Sequence, residues 1–283
     1  MKLAPECRDC LLNKVRQQSQ LVEKDRSRVE KIVSDCLEVY DCESEKTLAA
    51  AVVSGAVHRK NYAELGTEDL YREIKIRDNK TAEEVVKKVS PKLKTIHDWI
   101  TASVIGNAID YGVTGHDVAK NFTEFFDQMF EKGLALDDSD KFLKLTKNVV
   151  LFTDNCGEAV FDKYLCRALR ENGSWVTVVV KDKPMLNDLT LVEAHEINFE
   201  DYCDNLYSGG GGMQLGTHPQ FFSPEVKKAV EDSTLIIAKG LANYESLTEY
   251  NLNKPTAYLM MVKCHAVGRV VGTEKGNLIA VLK

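Results

Sequence analysis

The chain has 283 residues, 44% of them hydrophobic and 28% charged, which suits one large soluble globular domain or two modest ones. Its net charge of −6, without a long basic stretch, excludes a nucleic-acid scaffold, whose affinity rests on neutralising many phosphates. It leaves room for one small phosphate held by one or two local cations.

No window approaches the roughly 20 apolar residues that a membrane helix needs. The opening "MKLAPECRDC" enters charged residues at once, without a signal-peptide core, so the chain reads as cytosolic. Cys7 and Cys10 form a CxxC, but the eight cysteines include no second one to complete a four-thiolate zinc pattern. A structural or incidental role for that pair outweighs a metal or redox role, and cytosolic thiols stay reduced.

Residues 1–146 read as helices. Val29, Ile32, Val33, Cys36, Leu37 and Tyr40 recur at three- and four-residue spacing, the mark of an amphipathic helix. "TAEEVVKKVSPKLKTIHDWI" and "VAKNFTEFFDQMFEKGL" repeat that spacing, with Pro91 starting or breaking a helix. Between them, "ASVIGNAIDYG" sets Ser103, Asn107 and Asp110 on one face, away from Val104, Ile105, Ala108 and Ile109. Gly106 beside that face permits close backbone approach, so this helix is expected to pack over the site with Asn107 and Asp110 in or near it.

Residues 147–283 change period. "NVVLFT" (148–153) is a short, continuous apolar run, as in a strand buried on both faces, and a helix follows it. Strand "SWVTVVV" (174–180), helix "SPEVKKAVEDS" and strands "TLIIA" (234–238), "AYLMMV" (257–262) and "NLIAVL" (277–282) continue the alternation. Alternation at this interval predicts an α/β fold, a helical bundle over the first half followed by parallel βαβ units with helices covering both faces of the sheet. Ligands in such sheets bind at the carboxyl ends of the strands.

Read at those ends, the first strand presents Asp154 and Asn155, with Glu158 in the turn that follows. The second leads into "KDKPMLNDLT" with Asn187 and Asp188, the third ends at Lys239 before "LANYE" with Asn243, and the fourth ends at Lys263. Helix capping and solvated lysines would explain each residue alone. Together, two carboxylates and an amide make an oxygen-only site suited to Mg²⁺ or Mn²⁺, and the lysines suit a phosphate lying between. "YSGGGGMQLGTHPQ" (207–220) lacks both nucleotide-binding fingerprints and reads as a flexible loop, a lid or a substrate edge. Gln214 and Thr217 would then reach substrate, while His218 reads as local structure.

These stretches resemble the metal-dependent damage-control phosphatases, a family also described as acidic-residue-methyltransferase-like and formerly as a domain of unknown function. "PECRDCLL", "ASVIGNAID", "TDNCGEAVFD", "KPMLND", "AKGLANYE" and "VKCHAV" carry the resemblance over nearly the whole chain, and the CxxC is similar to that of the archaeal and bacterial branch. The resemblance implies an N-terminal helical region and a Rossmann-like α/β/α domain with a mostly parallel sheet, and hydrolysis of small phosphomonoesters, such as sugar phosphates or damaged phosphometabolites. It implies a metal on Asp154, Asn155 and Asp188, with Co²⁺ and Ni²⁺ joining Mg²⁺ and Mn²⁺ as cofactors, and Lys239 meeting the phosphate. Asn107, Asn187, Asn243 and Lys263 are the further substrate-side candidates, and Glu158 or Asp110 would position the attacking water. A covalent route through Asp154 is a variant, although the DxD pattern of that chemistry is absent because residue 156 is Cys. The competing readings are an S-adenosylmethionine-dependent carboxyl methyltransferase and a non-catalytic metal or sugar-phosphate binder. The first would want a more glycine-rich turn than 154–158 provides.

Overall fold

The computed structural model describes residues 1–108 and 118–283. Three helices, α1 (Cys7–Val22), α2 (Arg26–Lys46) and α3 (Ala50–Leu65), enclose a small core of their own around Val15, Ile32, Cys36, Val53 and Val57. The apolar spacing read along α2 is its buried stripe, and Asp25 caps it by accepting from the Ser27 N–H. Then come α4 (Arg72–Val89), α5 (Ile96–Gly106) and α6 (Val118–Lys132). Pro91 lies in a short 3₁₀ turn between α4 and α5, and Thr95 opens α5 with a capping box closed by Asp98.

The remaining elements alternate: β1 (Leu136–Asp137), α7 (Ser139–Phe142), β2 (Asn148–Phe152), α8 (Glu158–Glu171), β3 (Trp175–Val180), α9 (Leu191–Glu196) and β4 (Asn205–Ser208). They continue with α10 (Pro224–Asp232), β5 (Leu235–Lys239), α11 (Gly240–Leu247), β6 (Thr256–Met261), α12 (His265–Val271) and β7 (Leu278–Leu282). The strands form one seven-stranded sheet in the order β1-β7-β6-β5-β2-β3-β4, parallel except at β6–β7. Two of these strands had no sequence signal. β1 is a two-residue strand, and β4 is a half-buried edge strand without a continuous apolar run.

Strand side chains alternate between the two faces. Val149, Leu151, Leu235 and Ile237 join the core under α4, α5, α6 and α8, and Val150, Phe152, Ile236 and Ala238 join the opposite core under α10, α11 and α12. Helices therefore cover both faces, and residues on both sides of position 146 share the first core. Gly106 of α5 packs tightly on α8: a Cβ there would stand 3.1 Å from the Phe161 ring and 3.4 Å from the Glu158 Cα. Chain order reverses between β2 and β5, which lie side by side, so the carboxyl ends of these two strands flank the switch point where open α/β sheets bind ligands. Among the described residues no helix is long and apolar enough to cross a membrane.

Candidate active site

The turn after β2 sets Asp154, Asn155 and Glu158 within reach of one another because Gly157, at φ +79°, lets the chain reverse into α8. Asn79 of α4 fixes this turn by accepting the Gly157 N–H through Oδ1 at 2.6 Å. The loop after β3 is stitched to it by two backbone bonds, Leu189 N–H to the Asp154 carbonyl and Cys156 N–H to the Asn187 carbonyl, each 2.8 Å. Asn155 and Asp188 thereby face each other as an isolated bridge. Asp154, Asn155 and Asp188, drawn from two strand ends, are buried side by side.

Gly240, at φ +75°, gives Asp154 its seat. A Cβ on residue 240 would lie 1.8 Å from Asp154 Oδ2. Gly240→Ala should therefore push the carboxylate off position, lowering metal affinity at least about tenfold and adding roughly 1–2 kcal/mol of backbone strain. Metal titration beside thermal melting checks this. An unchanged metal affinity would show that the seat is not needed.

Asp154 Oδ2 accepts from Asn107 Nδ2 at 3.0 Å and from Asn155 Nδ2 at 2.8 Å. Burial, followed by the charges of Glu158 and Asp188, raises its pKa well above the carboxylate range. Burial likewise pushes Asp188 up to about 6 against the pull of Lys181, and its buried Oδ2 has no hydrogen-bond partner among the described residues. Buried carboxylates whose charged forms are disfavoured in this way, beside the further carboxylate of Glu158, want a cation near them. Among the described residues no three Asp, Glu, His or Cys side chains stand close enough together to hold a metal. What converges here is two carboxylates and an amide. This all-oxygen donor set fits a hard divalent cation.

Beneath it lies a buried ionic cluster. Lys239 has no exposed surface, and its ammonium donates to the Ser103 carbonyl at 3.1 Å, to Asp162 at 2.8 Å and to Glu158. Ser103 Oγ donates to the same Asp162 oxygen at 2.6 Å. Burial alone would depress the Lys239 pKa, but the Asp162 and Glu158 carboxylates outweigh it and hold it above the usual lysine value. Burial pushes Asp162 up to about 6 even so. Asn107, at the C-cap of α5, spans the cluster and the rim: besides Asp154 it donates to Glu158 at 2.6 Å, and its Oδ1 accepts the Met261 N–H at 3.0 Å.

The other sequence candidates fall as follows. Asn243 is fully buried and saturated: Nδ2 donates to the Thr153 and Lys239 carbonyls, and Oδ1 accepts from Lys181 and Thr217. Asn187 is buried with its Nδ2 unpartnered among the described residues. Lys263 is half-buried, and its charge helps to lower the pKa of both Asp154 and Asp188. Asp110 lies outside the described residues. His218 bonds the Leu215 carbonyl and the Tyr250 hydroxyl, a local role.

The glycine-rich loop is tied down. Asp182 accepts from Ser208 Oγ and the Gly212 N–H, both at 2.8 Å, and Arg59 of α3 donates to the Met213 carbonyl at 3.2 Å. A Cβ on Gly211, at φ +86°, would lie 2.6 Å from the Phe221 Cβ and 2.8 Å from its ring. Cys156 is buried, and burial raises its thiol well above its ordinary pKa, so it is a poor nucleophile. Cys156→Ala should keep most phosphatase activity, and near-complete loss would point to thiol chemistry instead. Cys7 is half-buried, Cys10 is exposed, and all eight cysteines are free.

Three participants escaped the sequence reading. Lys181 directly follows β3, and the strand-end rule that picks Asp154 would pick it too. Asp162 lies one helical turn after Glu158, and such a like-charged i, i+4 pair signals a cation between them. Asn79 carries no local signal, because its partner is 78 residues away.

A family model described as the damage-control phosphatase ARMT1-like domain matches residues 3–279. The chain is 33% identical to a damage-control phosphatase of Archaeoglobus fulgidus, over 99% of each. It is 26% identical to a damage-control phosphatase of Pyrococcus horikoshii, over 99% of this chain and 97% of that protein. The crystal structure of a DUF89 family protein from Pyrococcus horikoshii superposes with a TM-score of 0.90 at 26% identity, covering 99% of both chains.

Proposed function

We propose that this chain, which belongs to the ARMT1-like damage-control phosphatase family and is a phosphatase by that membership, hydrolyses small phosphomonoesters with a divalent cation held by Asp154, Asn155 and Asp188. The observation that carries the metal reading is the buried pair Asp154 and Asp188. Burial raises the pKa of both, with the Glu158 charge adding to each and the Asp188 charge adding to Asp154, and a backbone bridge between Asn155 and Asp188 holds the two segments together.

When bound, such a cation polarises the phosphoryl oxygens and offsets their charge. The chain's own residues provide the frame. Asn107 and Asn155 both donate to Oδ2 of Asp154 and so fix the position of its carboxylate. Glu158 fixes both amides and is anchored in turn by Lys239. Asn187 presents a buried N–H donor. Sugar phosphates and damaged phosphometabolites are the substrate class proposed, and positioning of the attacking water stays assigned to Glu158 or Asp110.

Release of inorganic phosphate from a panel of phosphomonoesters tests this reading. Activity should vanish on exhaustive chelation and return with Mg²⁺, Mn²⁺, Co²⁺ or Ni²⁺. Full activity after chelation would overturn the metal reading, and binding without turnover would favour a non-catalytic binder.

A further inference from the structure

The site has a lysine whose donors are not all spent. Lys181 sits at the carboxyl end of β3 and is buried, with its backbone N–H on the Leu189 carbonyl of the loop that carries Asp188. Its ammonium donates to the Gly216 carbonyl at 2.8 Å and to Asn243 Oδ1 at 3.2 Å. An ammonium has three donors, so one remains. Asp188 Oδ2 stands 4.0 Å from the ammonium, too far for a hydrogen bond and itself without one among the described residues.

The two acceptors that hold Lys181 are themselves immobilised. Asn243 has both amide protons and its oxygen engaged. Gly216, at φ +73°, packs so closely on α11 that a Cβ there would meet the Ala242 carbonyl oxygen and Ser246 Oγ at 2.5 Å. Lys239 differs. Its three protons go to Ser103, Glu158 and Asp162 in a site without exposed surface, and none is left for a ligand.

From this contrast, and resting on the phosphatase reading above, we infer that Lys181 is the cation that binds the substrate phosphoryl group, with Lys239 acting beneath it as counter-ion to Glu158 and Asp162. A cation this near a metal-binding carboxylate repels a bare metal ion, and the repulsion becomes attraction when a phosphate oxygen lies between the two positive charges. Lys181 also lines a small cleft with Asp182, Gly209, Gly212, Gln214 and Thr217.

Calorimetric titration of the full chain with inorganic phosphate, with Mn²⁺ present and after chelation, tests the assignment. Lys181→Met should weaken phosphate binding by roughly 30-fold or more, as expected for a lost charge-assisted contact, and Lys181→Arg should recover part of it. The Mn²⁺ affinity of Lys181→Met should match or exceed that of the parent. Unchanged phosphate affinity in Lys181→Met overturns the assignment. Equal phosphate binding by the parent with and without Mn²⁺ overturns the metal reading instead and leaves Lys181 to be judged by its variants. Where a variant fails to fold, the parent decides: phosphate with Mn²⁺ should protect Lys181 from an amine-acylating ester, read by mass spectrometry, and absence of protection overturns the assignment.

Discussion

Lys239→Met is expected to destabilise the fold by about 3–5 kcal/mol, the cost of removing one partner from a buried ion cluster. A solvated lysine would change stability by no more than about 0.5 kcal/mol. The difference follows from what the substitution leaves behind. Glu158 and Asp162, both without exposed surface, would keep their desolvation cost and lose the ammonium that compensates it. Methionine fills the volume but donates nothing.

The deficit should depend on pH, with a sign that can be worked out. Burial has already moved Asp162 from 3.8 to about 6 in the native protein. An acid whose pKa is raised on folding contributes stability that is present at low pH and lost as pH rises through its folded value. Without Lys239 that folded value climbs further, so Lys239→Met should lie closer to the parent at pH 5 than at pH 8. Denaturant unfolding at both values measures this. Adding Asp162→Asn should return part of the loss, because one uncompensated charge disappears. A variant as stable as the parent at pH 8 would contradict the buried cluster.

Asp154→Asn should reduce phosphatase activity to near background, a loss of about 10³-fold or more if the cation supplies Lewis-acid stabilisation. The shape is conserved, and the new amide oxygen can still accept from Asn107 and Asn155, whose amides now hold Oδ2. Folding should survive, and the metal-free variant should melt at or above the parent, since a buried like charge beside Glu158 and Asp188 is removed. Metal binding should also depend on pH in the parent. Asp188, pushed up to about 6, carries a proton in acid that the cation must displace, so affinity rises with pH through about 6 with release of a proton. Calorimetry in buffers of different ionisation enthalpy counts that proton. An Asp154→Asn enzyme with parental kcat/KM would remove Asp154 from the chemistry.

Much of this architecture was legible from local pattern. Runs such as "NVVLF" and "LIIAK" are buried on both faces, so composition and spacing alone mark them as central strands and fix which residues stand at their carboxyl ends. Asp154, Asn155 and Lys239 follow directly from that, and Asp188 follows from the loop after the next strand. The short elements β1 and β4 were not legible, because edge strands make little demand on composition.

What the pattern left undecided is where each side chain goes once its backbone is placed. A lysine at a strand end has a long flexible arm that can turn up into the rim or down between helices. Its choice depends on acceptors far away in the chain. Lys239 turns down because Ser103, Glu158 and Asp162, at 136, 81 and 77 residues' separation, converge under it. Lys181 stays at the rim because Gly216 and Asn243 hold it there. Local periodicity reports burial and direction along one element, whereas the partners of a charge are set by packing between elements. Hence Asp154, Asn155, Asp188 and Lys239 could be picked as candidates from sequence, whereas Lys181, Asp162 and Asn79, and the different surroundings of the two lysines, came only from the fold.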